Sequence, residues 1–578
     1  MTSTLISTRT NDIRDIVQRL KDEASSFEKD YRNKDATYLR AYKGDHYSAL
    51  TTSSWTRWKT RKVVNYTGDA IDFITSFLIE QSLHPYPVPP SEDQEHFTFA
   101  LQEVIDKIWR DNKLDTTTQE DFIKTGLILG KSYIKVYFDP FQDEGKGGIV
   151  VSVIAPKNVF LDPTCNGNIK RARYLIWEAW IPYDEAIRKY PRYLETIQRA
   201  ITLPVDKSDV YTDEVSPGGV FNSDATKTWD LPIHTPTSSS STDLKDFILP
   251  NIQTESKVKI TEAWLKDFTE EEVKEGRGRK YKYTNNIRLI TIINDVVVQD
   301  TSTPYKNVKQ FPWTMWLDKK VPFESTGLGT VSQVWSSQLD VNKKGSYIGD
   351  YITFAGNPVW IIDKEAEIDK SRLTNVPGLI IMKERGGDVR RESPPEIPQS
   401  IFQTVRDGIN EIRELSGSLD VLTGRQIPGT RSGSMLGEMK EAASGKVLLK
   451  KLALKEAIAE IGEIMLGIIK EYYTDIQILR IVGDYRTPRY FPFSGVVVDG
   501  PWVIKVEAMP STQVSRQARF DQGIRLYTMQ VIDKKALLDL IDFPNREQVL
   551  ERIDKAQSAY FNALATRQTY LPKRPPRY

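Results

Sequence analysis

The sequence predicts an α+β fold spread over several domains. Three observations carry that reading. At 578 residues the chain is longer than one hydrophobic core usually serves, which points to about two to four domains. Stretches with apolar residues at helical spacing are interleaved with stretches that alternate apolar and polar. One stretch, 433–474, keeps the helical pattern throughout.

Taken in order, residues 11–43 form a helix, with Asn11 able to cap it and Ile13, Ile16, Val17, Leu20 and Ala24 at helical spacing. A second apolar helix over 65–83 is stopped by His84-Pro-Tyr-Pro-Val-Pro-Pro. Two more helices cover 92–112 and 116–129. Ser132–Asp139 and Gly148–Ala155 alternate like two strands around a Gly-containing turn, and Tyr174–Ile181 reads as another strand. Residues 204–246 are rich in Pro, Gly, Ser and Thr and read as an exposed insert. Strands return at 257–268 and 280–299.

A helical run then covers 327–355, followed by strand-like Asn357–Asp363 and Val376–Lys383 and a second helical run over 398–415. Residues 416–432 form a Gly-rich loop. In 433–474, Leu454, Ile458, Ile461, Met465, Ile468 and Tyr472 are spaced alternately four and three apart, an amphipathic stripe. This helix spans about 60 Å at ~1.5 Å per residue. Glycines at 437, 445, 462 and 467 interrupt it and place a kink near Ser444-Gly445. Strands at 476–482 and 496–508, helices over 512–567 and a mobile tail at 568–578 complete the chain.

The formal net charge is +1, from 79 basic and 78 acidic residues. This balance argues against a tight non-specific DNA binder, though not against DNA passing close by. Cys165 is the single cysteine, so no intrachain disulfide forms and a reducing compartment fits. No stretch approaches the roughly 20 apolar residues of a membrane span, and the N-terminal residues lack the apolar core of a signal peptide. The expectation is a soluble protein with no membrane partner.

Gly126-Leu-Ile-Leu-Gly130-Lys131-Ser132 invites a phosphate-loop reading. That loop needs Gly-x-x-x-x-Gly-Lys-Ser/Thr between a strand and a helix. Here the spacing is one residue short and the order is helix then strand, so a glycine ending a helix is the better account. The four histidines (46, 84, 96, 234) show no metal-ligand spacing. No Gly-x-Ser-x-Gly and no clustered acid pair stands out in a catalytic setting, and the many carboxylates read as solvated surface. The expectation is no catalytic residue, no metal and no cofactor.

The patterns GKSYIKVYFDP (130–140), PKNVFLDP (156–163), Gly327-Leu-Gly in the lead-in Pro322–Leu339, GNPVWIID followed by VPGLIIM, and TGRQIPGTRSGSMLGEMKEA (423–442) occur in this order. Together they resemble the portal proteins (head-to-tail connectors) of tailed double-stranded DNA bacteriophages, in particular the short-tailed-phage group. The resemblance covers about 120–540 and rests on order and short local patterns. It implies a multi-domain portal fold. Residues 1–326 and the strands 475–508 are the wing; 327–355 and 398–415 are paired stem helices; 356–397 is a strand-containing clip. The tunnel loop is 416–432, the long kinked helix 433–474 and the helical crown 509–567. It also implies a homo-oligomeric ring of twelve subunits at one capsid vertex of the virion, assembled in the host cytoplasm. Its implied partners are double-stranded DNA in the channel, a packaging motor (terminase), a head–tail adaptor, the major capsid protein and a scaffolding protein.

Within that frame Arg425 and Arg431 of the tunnel loop are candidates to face DNA phosphates; the alternative is a bond to a neighbouring subunit or water. Few, flexible contacts suit sliding DNA, because each neutralised phosphate adds affinity. Lys383, Arg385, Arg390 and Arg391 cluster in the clip and are candidates for docking a partner, with a solvated hairpin tip as the alternative. Along the helical runs, Lys343, Lys344, Arg406 and Arg413 compete with Asp340, Asp350, Asp407, Glu411 and Glu414, a mixture suited to inter-subunit pairs rather than a DNA track. The rival readings are a packaging ATPase or nuclease, which an ATPase assay discriminates, and another virion component such as an adaptor or tail nozzle, which a particle image discriminates.

Overall fold

The structure is a computed structural model that describes residues 10–540 apart from 48–59, 81–82, 200–256, 268–269, 276–277, 284–285, 294, 357–358, 365–386, 393–395, 419–432, 474–476, 483–487, 494–499, 509–519 and 521–522, together with residue 552. The insert 204–246, the expected strand Val376–Lys383, most of the loop 416–432, most of the expected helices in 512–567 and the tail lie outside the described residues.

The helices are α1 (Thr10–Tyr42), α2 (Tyr66–Ile79), α3 (Glu95–Asp111), α4 (Thr117–Leu129), α5 (Tyr183–Lys189), α6 (Leu194–Arg199), α7 (Thr330–Gly356), α8 (Gln399–Ser416) and α9 (Gly433–Tyr472). A short helix, Lys534–Leu540, follows later in the chain. Helices and antiparallel sheets occupy separate stretches, which is an α+β organisation.

The largest sheet has five strands in the order Val296–Ser302, Asn286–Ile293, Lys257–Asp267, Tyr174–Pro182 and Val159–Leu161. Both of its faces are covered. Ile13, Val17, Leu20 and Ala24 of α1 pack on Phe160, Tyr174, Ile176 and Ile290. The other face meets α5, α6 and the aromatic pair Phe311 and Trp313. A three-stranded sheet, Trp313–Leu317, Lys131–Asp139 and Gly148–Ile154, packs with α2, α3, α4 and α9 around the main core. Leu454, Ile458, Ile461, Met465 and Ile468 of the α9 stripe are all buried there. Tyr472 is exposed and stacks on Phe138 with ring centroids 4.2 Å apart. Helix α9 is continuous through Ser444 and Gly445.

Four boundaries differ from the sequence expectation. Helix α2 ends at Ile79, and the proline-rich segment that was to stop it is a strand, Leu83–Val88, antiparallel to Val503–Ala508. Pro85 and Pro87 alternate along it, so the missing N–H groups share one edge and the other edge keeps its donors. Pro488–Phe493, likewise proline-rich and not foreseen, pairs with Gln477–Val482. The stretch 280–299 divides among three strands, Gly278–Tyr283, Asn286–Ile293 and Val296–Ser302. Finally, α7 starts at Thr330 rather than at 327, because Gly327–Leu328 pair with Lys319–Lys320 in a two-residue ladder.

Helices α7 and α8 lie side by side. Val334, Val341 and Ile412 are buried between them and α2, with Tyr66, Val405 and Ile409 at the margin. A Cβ on Gly408 would stand 2.7 Å from Val341 Cγ2, so this glycine sets how closely the two helices approach. The segment linking them carries a hairpin, Val359–Ile362 against Val389–Glu392.

Candidate functional site at the junction of sheets and helices

The sequence patterns around Gly130 and around Gly327-Leu-Gly meet in space. Gly130 ends α4 in the left-handed conformation, φ +85°, and its N–H donates to the Gly126 carbonyl at 2.8 Å. Its own carbonyl accepts from Asp318 N at 3.2 Å. A Cβ on Gly130 would collide with the Gly327 carbonyl carbon and Gly329 N, and one on Gly329 with the carbonyl of Ile128. Backbone therefore lies directly on backbone at this crossing, which only glycine permits. Thr330, the first residue of α7, follows at once.

Asp318 is the electrostatic centre of the crossing. Its side chain is fully buried and forms an ion pair with Lys450 Nζ of α9. Thr330 Oγ1 donates to Asp318 Oδ2 at 2.7 Å, and Lys450 Nζ donates to Thr330 Oγ1 at 2.9 Å. Trp316 Nε1 donates to the Lys450 carbonyl at 3.3 Å. Burial pushes the Asp318 carboxyl up, while Lys450 and Thr330 pull it back down. A single triad thus ties the end of strand Trp313–Leu317, the start of α7 and the long helix together. A buried ion pair of this kind contributes little net stability, but breaking it is costly.

Lys131, the residue that suggested a phosphate loop, is buried and points at α1. Its Nζ lies 2.7 Å from Glu28 Oε1, and Glu28 also receives Arg32 at 3.0 Å. Beside them burial raises the Asp35 carboxyl to about 6, against the pull of Lys131 and Arg32. Tyr31 OH donates to Glu324 Oε2 at 2.6 Å, which fastens α1 to the turn before Gly327. With its ammonium enclosed this way and a strand following it, Lys131 is structural.

A further device went unnoticed in the sequence. Residues 60–65 and the first turn of α2 lie along α7 and give backbone donors to side chains spaced four apart on that helix. Thr60 N donates to Asp350 Oδ1 at 2.5 Å and Lys62 N to Ser346 Oγ at 3.0 Å. Val64 N donates to Asn342 Oδ1 at 3.3 Å, and Thr67 N to Gln338 Oε1 at 3.0 Å. From Thr60 to Val64 each step of two residues meets a step of four residues, ~6 Å, along the helix. His46 Nδ1 lies 2.6 Å from Asn342 Nδ2, and burial lowers the pKa of that imidazole. The signal was the run Gln338, Asn342, Ser346, Asp350, polar at every fourth position of an otherwise mixed helix.

The residues expected to face DNA or partners are placed only in part. Arg425 and Arg431, and Lys383 and Arg385, lie outside the described residues. Arg390 and Arg391 sit on strand Val389–Glu392, in register with Ile361 and Trp360. Arg390 is exposed, 3.8 Å from Glu392, a pair too solvated to hold anything firmly. Among the mixed charges on the helix pair, several acids act inside the chain, and Asp407 accepts from Gln403 Nε2 at 2.9 Å. Asp340 pairs with Lys344 at 2.6 Å, and Asp350 serves Thr60.

Among the described residues no three His, Cys, Asp or Glu side chains gather as a metal set, and no helix is long and apolar enough to cross a membrane. A family described as Phage P22-like portal protein matches residues 18–570. No curated protein matches the chain.

Proposed function

Because the chain belongs to the phage P22-like portal protein family, a structural family of the virion, we propose that it closes a ring of twelve subunits at one capsid vertex. The ring is the channel for genome packaging and ejection and the platform for the packaging motor and the tail. The observation that carries this reading is the family match over nearly the whole chain. The fold is consistent with it: two packed helices flank a hairpin, and a forty-residue helix is locked to the first of them through Lys450 and Asp318.

In this assignment α7 and α8 are the stem, and residues 356–397 with their hairpin are the clip on which the terminase docks. Residues 416–432 are the tunnel loop, α9 the long helix, 509–567 the crown, and 1–326 with 475–508 the wing. ATP is hydrolysed by the separate motor, and this subunit holds no cofactor. Arg425 and Arg431 meet DNA phosphates weakly, so the genome slides. The major capsid protein, scaffolding protein and head–tail adaptor meet the outer surfaces.

Particle images of the purified protein test the reading. Closed rings with a central channel, at a mass near twelve times 66.1 kDa, are expected. Monomers or open filaments at micromolar concentration overturn it.

A further inference from the structure

Helix α9 is apolar on two faces between Val447 and Leu454, but its own chain covers only one. Val447, Leu454, Ala457 and Ile458 are buried against the core. Leu448, Leu449 and Leu452 stand on the opposite side, 48%, 76% and 48% exposed. A helix that is apolar all round is normally buried all round. The second face therefore calls for a cover that the described part of the single chain does not supply. Lys451 and Lys455, one turn apart, flank these leucines, and neither forms an ion pair among the described residues.

Helix α8 carries the complementary pattern. Gly408 and Ile412 face α7, whereas Asp407 and Glu411, one turn apart, are exposed. Leu415 continues the same stripe and is 48% exposed. Leucines flanked by lysines on one helix thus match a leucine flanked by acids on another, at the same spacing of ~6 Å per four residues.

Resting on the ring reading above, we propose that the leucine face of α9 in one copy docks on the acidic stripe of α8 in the next copy. Lys451 and Lys455 then meet Asp407 and Glu411 across the interface, at the rim of a contact whose centre is leucine on leucine. The two surfaces are different patches of one chain, so the contact is head-to-tail, the type that closes rings. It also seats the long helix of each subunit against the helix pair of its neighbour.

The test is a charge exchange read by mass photometry at micromolar concentration, with circular dichroism as the check on folding. Two variants reverse one side each: Asp407→Lys with Glu411→Lys, and Lys451→Glu with Lys455→Glu. Each is expected to lower the ring fraction at least tenfold while keeping its helical signal, and the variant carrying all four changes is expected to recover most of it. If both one-sided variants form rings like the parent, the proposal is overturned and the leucine face is covered by another part of the chain or by another partner; the ring reading survives. Folded one-sided variants whose loss the four-fold variant fails to restore overturn the pairing as well. A parent that stays monomeric overturns the ring reading and this proposal with it.

Discussion

The junction around Asp318 and the outer faces of α7, α8 and α9 lie on the same helices yet are built on opposite rules. At the junction the central polar groups are committed to one another. Asp318 has Lys450 and Thr330, Gly130 has Gly126 and Asp318 N, and three glycines remove the side chains that would hold the backbones apart. On the outer faces large apolar side chains are left in solvent: Tyr347 at 58% on α7, Phe402 at 46% on α8 and Leu449 at 76% on α9. The first region has no freedom to repack without loss, whereas the second leaves its apolar groups uncovered among the described residues. Polar pairing is concentrated where the elements of one chain meet, and open apolar surface of the kind that marks interaction sites is kept on the outer faces.

Substitutions can break or sharpen this contrast. The largest effect is expected from Asp318→Ala, which strands the Lys450 ammonium in a buried site. A loss of about 3–5 kcal/mol in urea unfolding is expected, against under ~1 kcal/mol for Asp407→Ala on the outer face. Equal effects at the two positions would erase the distinction. Gly130→Ala comes next. It forces a Cβ into the left-handed region and against Gly327, at about 2–4 kcal/mol, whereas Gly445→Ala, with open space around it, is expected to be neutral or slightly stabilising.

A smaller effect carries a pH signature. Burial holds the Asp35 carboxyl at about 6, above its ordinary 3.8. Between those values the folded state binds more protons than the unfolded one, so stability falls as pH rises through the window. Asp35→Asn is therefore expected to melt higher than the parent above pH ~6, by the equivalent of about 1–2 kcal/mol, with the gain vanishing below pH ~4. A gain independent of pH would assign it to packing instead. Smallest of all, Arg390→Ala on the exposed hairpin is expected to shift stability by less than ~0.5 kcal/mol, since its ion pair is open to solvent.

Much of the fold was legible because periodicity survives folding. The stripes of α1 and α9 and the alternation of Ser132–Asp139 reported burial that the structure contains. The proline-rich strands Leu83–Val88 and Pro488–Phe493 were not legible, because proline reads as a breaker until a partner strand supplies the other edge. The junction was only half visible. Gly130 and Gly327-Leu-Gly stood out as patterns, but Asp318 and Lys450 are 132 residues apart and nothing local joins them. Of the residues expected to meet DNA or partners, only Arg390 and Arg391 fall on described backbone. Arg390 is exposed there, which fits either alternative the sequence allowed.

The segment laid along α7 has a consequence in time. Lys62 and Ser346 are 284 residues apart, so the amides of 60–67 are synthesised long before the helix that receives them. At roughly 5–20 residues per second, a ribosome needs about a quarter of a minute to a minute to cover that distance. The segment connecting α1 to α2 therefore cannot dock until most of the chain has emerged. Contacts so distant in sequence also slow the search for the native state. Locking of the N-terminal region thus waits until the chain has been made well past its middle, and only then is α7 fully dressed.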